Sequence, residues 1–146
     1  MHDTEQKAQP DKVAVVVAAS LTAGQAANIA ACLAAGLAGA RPGWAGGTLV
    51  DADDLETVAS SHLPIAVLSA LPEAMSALLR QAIDIPAAER GEVSLFPAYA
   101  QSVHDFAQYR AHHQTAHHVD EPMLGIGLAG PKRWVNRLTG SLPLWR

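Results

Sequence analysis

Cysteine is almost missing from this sequence. Cys32 is the single one in 146 residues, so no disulfide forms within the chain and a reducing compartment is expected. Charge is scarce as well. Charged side chains make up 16% and aromatic ones 5%, against 49% apolar, a balance that excludes a disordered chain. Basic residues do not dominate: ten Lys and Arg against fourteen Asp and Glu give a net charge of −4. That excludes a protein gripping nucleic acid with its whole surface. A basic lead is lacking too. Residues 1–12 carry Asp3, Glu5 and Asp11 beside Lys7 and Lys12, so the apolar run 13–21 is not read as a secretory signal, and a cytoplasmic protein is expected. Residues 23–40 hold no charge, but they are mostly Ala and Gly with Gln25 and Asn28 inside. Their strongly apolar members, Ile29, Leu33 and Leu37, recur at i, i+4 and i+8, one stripe of a helix packed on a core rather than a membrane span.

What is present suffices for one domain, since a chain of this length buries about 68–70% of its unfolded surface. Residues 1–11 are polar, contain Pro10 and read as a loose tail, leaving 12–146 as the domain. Residues 12–19, KVAVVVAA, are a β-branched run suited to a central strand buried on both faces. Thr22 and Gln25 form a Thr-x-x-Gln capping box, which opens a helix running to about Ala38. Residues 48–51 are predicted as a short strand entering an acidic loop with Asp51, Asp53, Asp54 and Glu56. Residues 64–70 are a second apolar strand. Pro72 then starts a helix with the stripe Met75, Leu78, Leu79, Ala82 and Ile83. Residues 92–99 read as a strand that Pro97 confines to an edge or an end. Ser102 is the predicted cap of a polar helix through His118, and residues 123–129 are the last strand. Pro131 suits the first position of a final helix, and Gly140 a left-handed residue just after it. Strands alternating with helices indicate an α/β domain.

The run LGIGLAGPKRWVNRLTGSLPLWR, residues 124–146, orders a strand, Gly-Pro, a short helix, Thr-Gly and Leu-Pro-Leu. It resembles the closing motif of the type-2 peptidyl-tRNA hydrolases, and KVAVVVAASLTAGQAANIAACLA resembles the opening of that fold. Residues 12–146 resemble more closely still an uncharacterised bacterial family, domain of unknown function two thousand. They share with it the Leu-Thr-x-Gly-x-Ala-x-Asn start, Val50-Asp51-Ala52, and the Gly-Pro-Lys to Leu-Pro-Leu end. The resemblance implies a single-domain α/β fold with a mixed four-stranded sheet flanked by helices, and a homodimer. The hydrolases carry a lysine after the glycine of the first helix, where this chain has Gln25. A glutamine and a histidine deeper in their helix are replaced by Ile29 and Cys32. Their Asp-Ala-Gly-Arg-Thr segment is absent, the nearest acids being Asp120 and Glu121. Their catalytic threonine has a counterpart in Thr139.

Three readings follow. In the first, the chain binds a small ligand or nucleotide in a crevice between the first helix and Thr139. Gly24 and Thr22 would let backbone N–H groups meet an anion, and Lys132 and Arg137 would supply cations. In the second it is an ester hydrolase on peptidyl-tRNA, with Thr139, Gln25 and Asn28 as the catalytic candidates and the C-terminal bases holding tRNA. In the third it is a homodimeric module with a metal held by His113 and His117, one helical turn apart in AHHQTAHH. No cofactor is implied. Plainer readings stand beside these: Gln25 as half of a capping box, Thr139-Gly140 as a helix terminus, Cys32 as packing, and histidines as a solvated face. Trp134, Val135 and Leu138 read as core, with the neighbouring bases in water.

Overall fold

Val13, Ala14, Val15, Val16 and Val17 are each at or below 1% exposure, as a β-branched run covered on both faces must be. They lie in β1 (Lys12–Ala18) of a computed structural model that describes residues 9–146. The tail expected over residues 1–11 therefore falls mostly outside the described residues. The chain continues through α1 (Ala23–Ala40), β2 (Thr48–Val50), β3 (Glu56–Val58), β4 (Ile65–Ala70) and α2 (Pro72–Ile83). It ends with β5 (Glu92–Pro97), α3 (Phe106–Thr115), β6 (Met123–Gly130) and α4 (Lys132–Thr139). The main sheet has the order β4-β1-β6-β5. β1 pairs with β4 in parallel and with β6 antiparallel, and β6 pairs with β5 antiparallel. β1, β4 and β5 therefore run one way and β6 the other, so the sheet is mixed.

Side-chain alternation along β1 divides the core. Ala14 and Val16 pack with Met75, Leu78 and Leu79 of α2 and with Trp134, Val135 and Leu138 of α4. Val15 and Val17 pack with Ala26, Ile29 and Leu33 of α1 on the other face. The α1 stripe is buried as its spacing requires, and the capping box is present in both directions. α1 is long and apolar enough by composition to cross a membrane, yet its Ile29, Leu33 and Leu37 are each 1% exposed against the sheet. It lies close because β6 carries glycine where the helix passes. A Cβ at Gly125 would come 2.6 Å from Ile29 Cγ2, and one at Gly127 2.9 Å from Leu37 Cδ1. After α4 the chain returns along β4: Ser69 donates its N–H to Pro143 O and Trp145 its N–H to Val67 O, both at 2.9 Å. The sheet edge is thus covered by the chain's own end.

Several expectations are corrected. The acidic segment after residue 50 is the turn of a hairpin, and its Glu56 opens β3. Asp51 Oδ1 closes that turn by accepting from Asp53 N at 2.7 Å and Leu55 N at 3.0 Å. Ile83 is 41% exposed, outside the α2 stripe. Ser102 does not cap a helix, because its hydroxyl donates to Tyr99 O. Asp105 caps α3 instead, accepting from Ala107 N at 2.9 Å. α3 ends at Thr115, whose hydroxyl turns back to His112 O, and does not reach His118. Gly140 is right-handed at φ −61°, not left-handed. Its missing side chain leaves room for Asn136 O, which a Cβ would approach to 2.9 Å.

Candidate functional site

β1, β4 and β5 all end on one side of the sheet, and the chain leaves these ends by routes that open clefts between them. On α1, Gln25, Asn28, Ile29 and Cys32 fall at i, i+3, i+4 and i+7, one continuous face. Opposite them, the β5 ladder is broken by a register shift between Phe96 and Pro97. Past this bulge Pro97 still stands opposite Met123, and the chain then enters the turn Ala98–Ser102, whose Ala100 and Gln101 face α1 across a gap. The resulting groove has a volume of about 520 Å³ and is lined by that α1 face together with Phe96, Ala100, Gln101, Val103 and His104. A second hollow of about 410 Å³ shares Cys32, Phe96, Ala100, Val103 and His104 and runs on to Asp105, Phe106 and Tyr109. Each part has the size of a small-molecule site. Neither is lined by Lys or Arg.

The expected site residues divide between distant places. Gln25 and Asn28 are brought together in the groove. Thr22 and Gly24 stand at the start of α1, where Thr22 Oγ1 accepts from Gln25 N at 3.3 Å and Gln25 Oε1 accepts from Thr22 N at 3.1 Å. That bond occupies the Gln25 carbonyl oxygen and leaves its NH₂ free to donate. Thr139 lies on α4, across the sheet from α1, 6% exposed, with its hydroxyl donating to Val135 O at 2.7 Å. Lys132 is at the opposite end of α4, its backbone N–H donating to Asp11 Oδ2. Arg137 borders a different hollow, with Arg133, Trp134, Asp84 and Glu89. None of the five main hollows is lined by Thr139, and the one on the α1 face lies on the other side of the sheet from it. The core reading of Trp134, Val135 and Leu138 holds, with Lys132, Arg133 and Arg137 exposed. Sequence reasoning missed Gln101 and His104, and its reading of Cys32 as packing is corrected by that residue's exposure. Cys32 is exposed and lines both hollows, and its spacing from Gln25 and Asn28 was the available signal.

The histidines also pair differently from expectation. His117 lies beyond the end of α3, so His113 and His117 do not share a helix face. His113 meets His118 instead, with 2.7 Å between His113 Nδ1 and His118 Nε2. The other nitrogen of His118, Nδ1, is 3.0 Å from Glu121 Oε1. His112 lies against Tyr99, ring centroids 3.8 Å apart. Burial and the neighbouring His118 hold the His113 imidazolium below its ordinary value, with Glu121 opposing them. Among the described residues, no three His, Cys, Asp or Glu side chains form a group able to hold a metal ion.

Residues 11–146 match the family described as "Protein of unknown function (DUF2000)". The chain belongs to this family. Its fold is similar to the solved structure of a protein of unknown function from Agrobacterium tumefaciens strain C58. The TM-score is 0.81 at 20% identity, over 91% of this chain and 96% of that one, a likeness of fold. No curated protein matches the chain.

Two outcomes are expected of this DUF2000 chain from its local geometry. Gly24 has negative φ in the first turn of α1, and a Cβ there would meet nothing within 4 Å. Gly24→Ala should therefore raise stability by about 0.5 kcal/mol, read as a higher urea midpoint. The second concerns Tyr99 and Tyr109, the only two tyrosines. Both phenols are raised above 10, first by burial; Glu121 adds to both, and Tyr109 adds to Tyr99. The folded state thus holds these protons longer than the unfolded one, so their contribution to stability is complete below pH 10 and is lost as pH rises through the folded values. Ultraviolet titration of folded protein should show both phenols ionising above free tyrosine, and the urea midpoint should fall over the same range.

Proposed function

We propose that this protein binds a small uncharged ligand with a planar hydrogen-bonding edge, an amide or a heteroaromatic base, in the α1 groove. One observation carries this reading: three side-chain amides, Gln25, Asn28 and Gln101, border a floor that includes Ile29 and Phe96, with no Lys or Arg among the lining residues. Asn28 and Gln101 each offer a donor and an acceptor side by side and match amide or base edges, Gln25 adds its NH₂ donor, and Phe96 supplies an apolar face. A phosphate would find no fixed cation inside the groove, so a nucleoside or an amide fits it better than a nucleotide's charged end.

The fold in this reading is a diverged form of the type-2 peptidyl-tRNA hydrolase fold. The support is positional: the lysine, glutamine and histidine of the hydrolases' first helix correspond to Gln25, Ile29 and Cys32, and all three line the groove. The place is kept and its charge is gone. Ester cleavage is disfavoured because the Thr139 hydroxyl is buried and engaged by Val135 O. Purified protein should release a blocked amino acid from aminoacyl-tRNA no faster than buffer does. Thr139→Ala should leave that rate unchanged and lower stability by about 1 kcal/mol through the lost hydrogen bond. Release above the buffer rate that Thr139→Ala abolishes would establish the hydrolase instead.

A homodimer in the bacterial cytoplasm belongs to the same reading. The exposed Leu49, Val50, Leu55 and Val58 of the β2–β3 hairpin offer apolar surface for a second copy, and light scattering of the eluting protein tests it. For the ligand, a thermal-shift series with adenosine, nicotinamide and an N-acetylated amino-acid amide is the direct trial. Stabilisation by any of them that Asn28→Ala reduces supports the reading, and none by all three counts against it.

A further inference from the structure

The two parallel neighbours in the main sheet, β1 and β4, send their following helices to opposite faces. β1 runs into α1, which packs on Val15 and Val17, and β4 runs into α2, which packs on Ala14 and Val16. The two connections part at the carboxyl ends of these strands, and a crevice opens where they separate. A hollow of about 200 Å³ lies there. It is bounded by Ser20 after β1, Leu71 after β4, Met75 and Ser76 of α2, and Glu121 and Met123 where β6 begins. It shares no lining residue with the α1 groove.

We propose that this crevice binds a small primary amine with a short branched apolar tail, its ammonium against the Glu121 carboxylate and its tail against Met75 and Met123. Glu121 is the one ionisable residue in the lining, and no Lys or Arg stands beside it there. Its Oε1 accepts from His118 Nδ1 at 3.0 Å. Its Oε2 is 3.8 Å from His112 Nε2, outside hydrogen-bond range, and keeps its lone pairs for a ligand. The hydroxyls of Ser20 and Ser76 make no hydrogen bond among the described residues. An ammonium carries three donors; Glu121 takes one, and these hydroxyls are acceptors left for the others. An anion finds no such partner, and Glu73 in the first turn of α2 already offsets the positive end of that helix. The rest of the lining is largely apolar, and flexible methionines adapt to a branched tail. The volume matches that of about seven waters, which suits a ligand of about that many non-hydrogen atoms, such as 3-methylbutylamine.

The chain has three methionines, and two of them line the crevice, so carbon-13 spectra of the methionine methyl groups read it directly. Titration with 3-methylbutylamine at neutral pH should shift the Met75 and Met123 signals saturably. The alcohol with the same tail, 3-methylbutanol, should bind at least about tenfold more weakly for want of the charge-assisted bond. The matching carboxylate, 3-methylbutanoate, should not bind. Glu121→Gln should bind amine and alcohol alike. Ser76→Phe, at an exposed position of α2, should fill the crevice and abolish both. Cys32→Trp closes the α1 groove and should leave the amine's affinity unchanged, which separates this site from that one. Circular dichroism of each variant checks folding. The proposal is overturned by unmoved Met75 and Met123 signals, by alcohol binding as tightly as amine in the parent, or by a preference for the amine that Glu121→Gln retains. Binding that survives Ser76→Phe or is lost in Cys32→Trp would equally contradict it.

Discussion

Gly91→Ala is expected to cost about 3 kcal/mol or more, more than the same change at Gly24 or Gly125. Gly91 precedes β5 and crosses the end of β6. A Cβ there would land on the Ala129 carbonyl oxygen and within 2.7 Å of two further backbone atoms, Ala129 C and Gly130 Cα. Backbone cannot rotate away as a side chain does, so the β5–β6 pairing at Glu92 and Ala129 must part to admit the methyl group. The same change at Gly125 meets the ends of Ile29 and Leu33, which can shift, and should cost less, about 1–3 kcal/mol. At Gly24 it should stabilise. Urea midpoints of the three variants give the order directly, and a Gly91→Ala protein as stable as the parent would contradict the packing described at the end of β6.

Cys32→Trp should abolish ligand binding while changing stability by no more than about 0.5 kcal/mol, because Cys32 is exposed on α1. The residue lies where the two hollows join, so an indole there fills the shared space against Phe96, Val103 and His104. Its thiol supplies no indispensable bond in this account, so Cys32→Ser should bind as the parent does. Loss of binding in both variants would instead assign the thiol itself a role.

Much of the fold was readable because its signals are local. The β-branched run of β1, the Thr22–Gln25 box and the Ile29, Leu33, Leu37 stripe each lie within one element, and each is found where its pattern requires. The hairpin strand β3 was hidden because Glu56, Thr57 and Val58 are all exposed and show no alternation against a core. The end of α3 was hidden because it is set by the Thr115 hydroxyl and not by a glycine or proline. The site was half legible. Gln25 and Asn28 stood out as polar residues in an apolar helix, but their opposite wall comes from Phe96, Gln101 and His104, far along the chain. Only the β5 bulge and Pro97 bring that wall into position. Thr139 stood out through its Thr-Gly context, and its burial depends on the α4 face that the neighbouring Val135 and Leu138 turn to the sheet.

Side-chain amide resonances offer the most direct test of the groove. Nitrogen-15 spectra of the protein with increasing adenosine, nicotinamide or N-acetylated amino-acid amide should show saturable shifts at Gln25, Asn28 and Gln101, with the same ligand silent on Cys32→Trp. Shifts confined to the surroundings of Thr139 and Arg137, or none with any of the three compounds, would contradict the assignment of the α1 groove as the binding site.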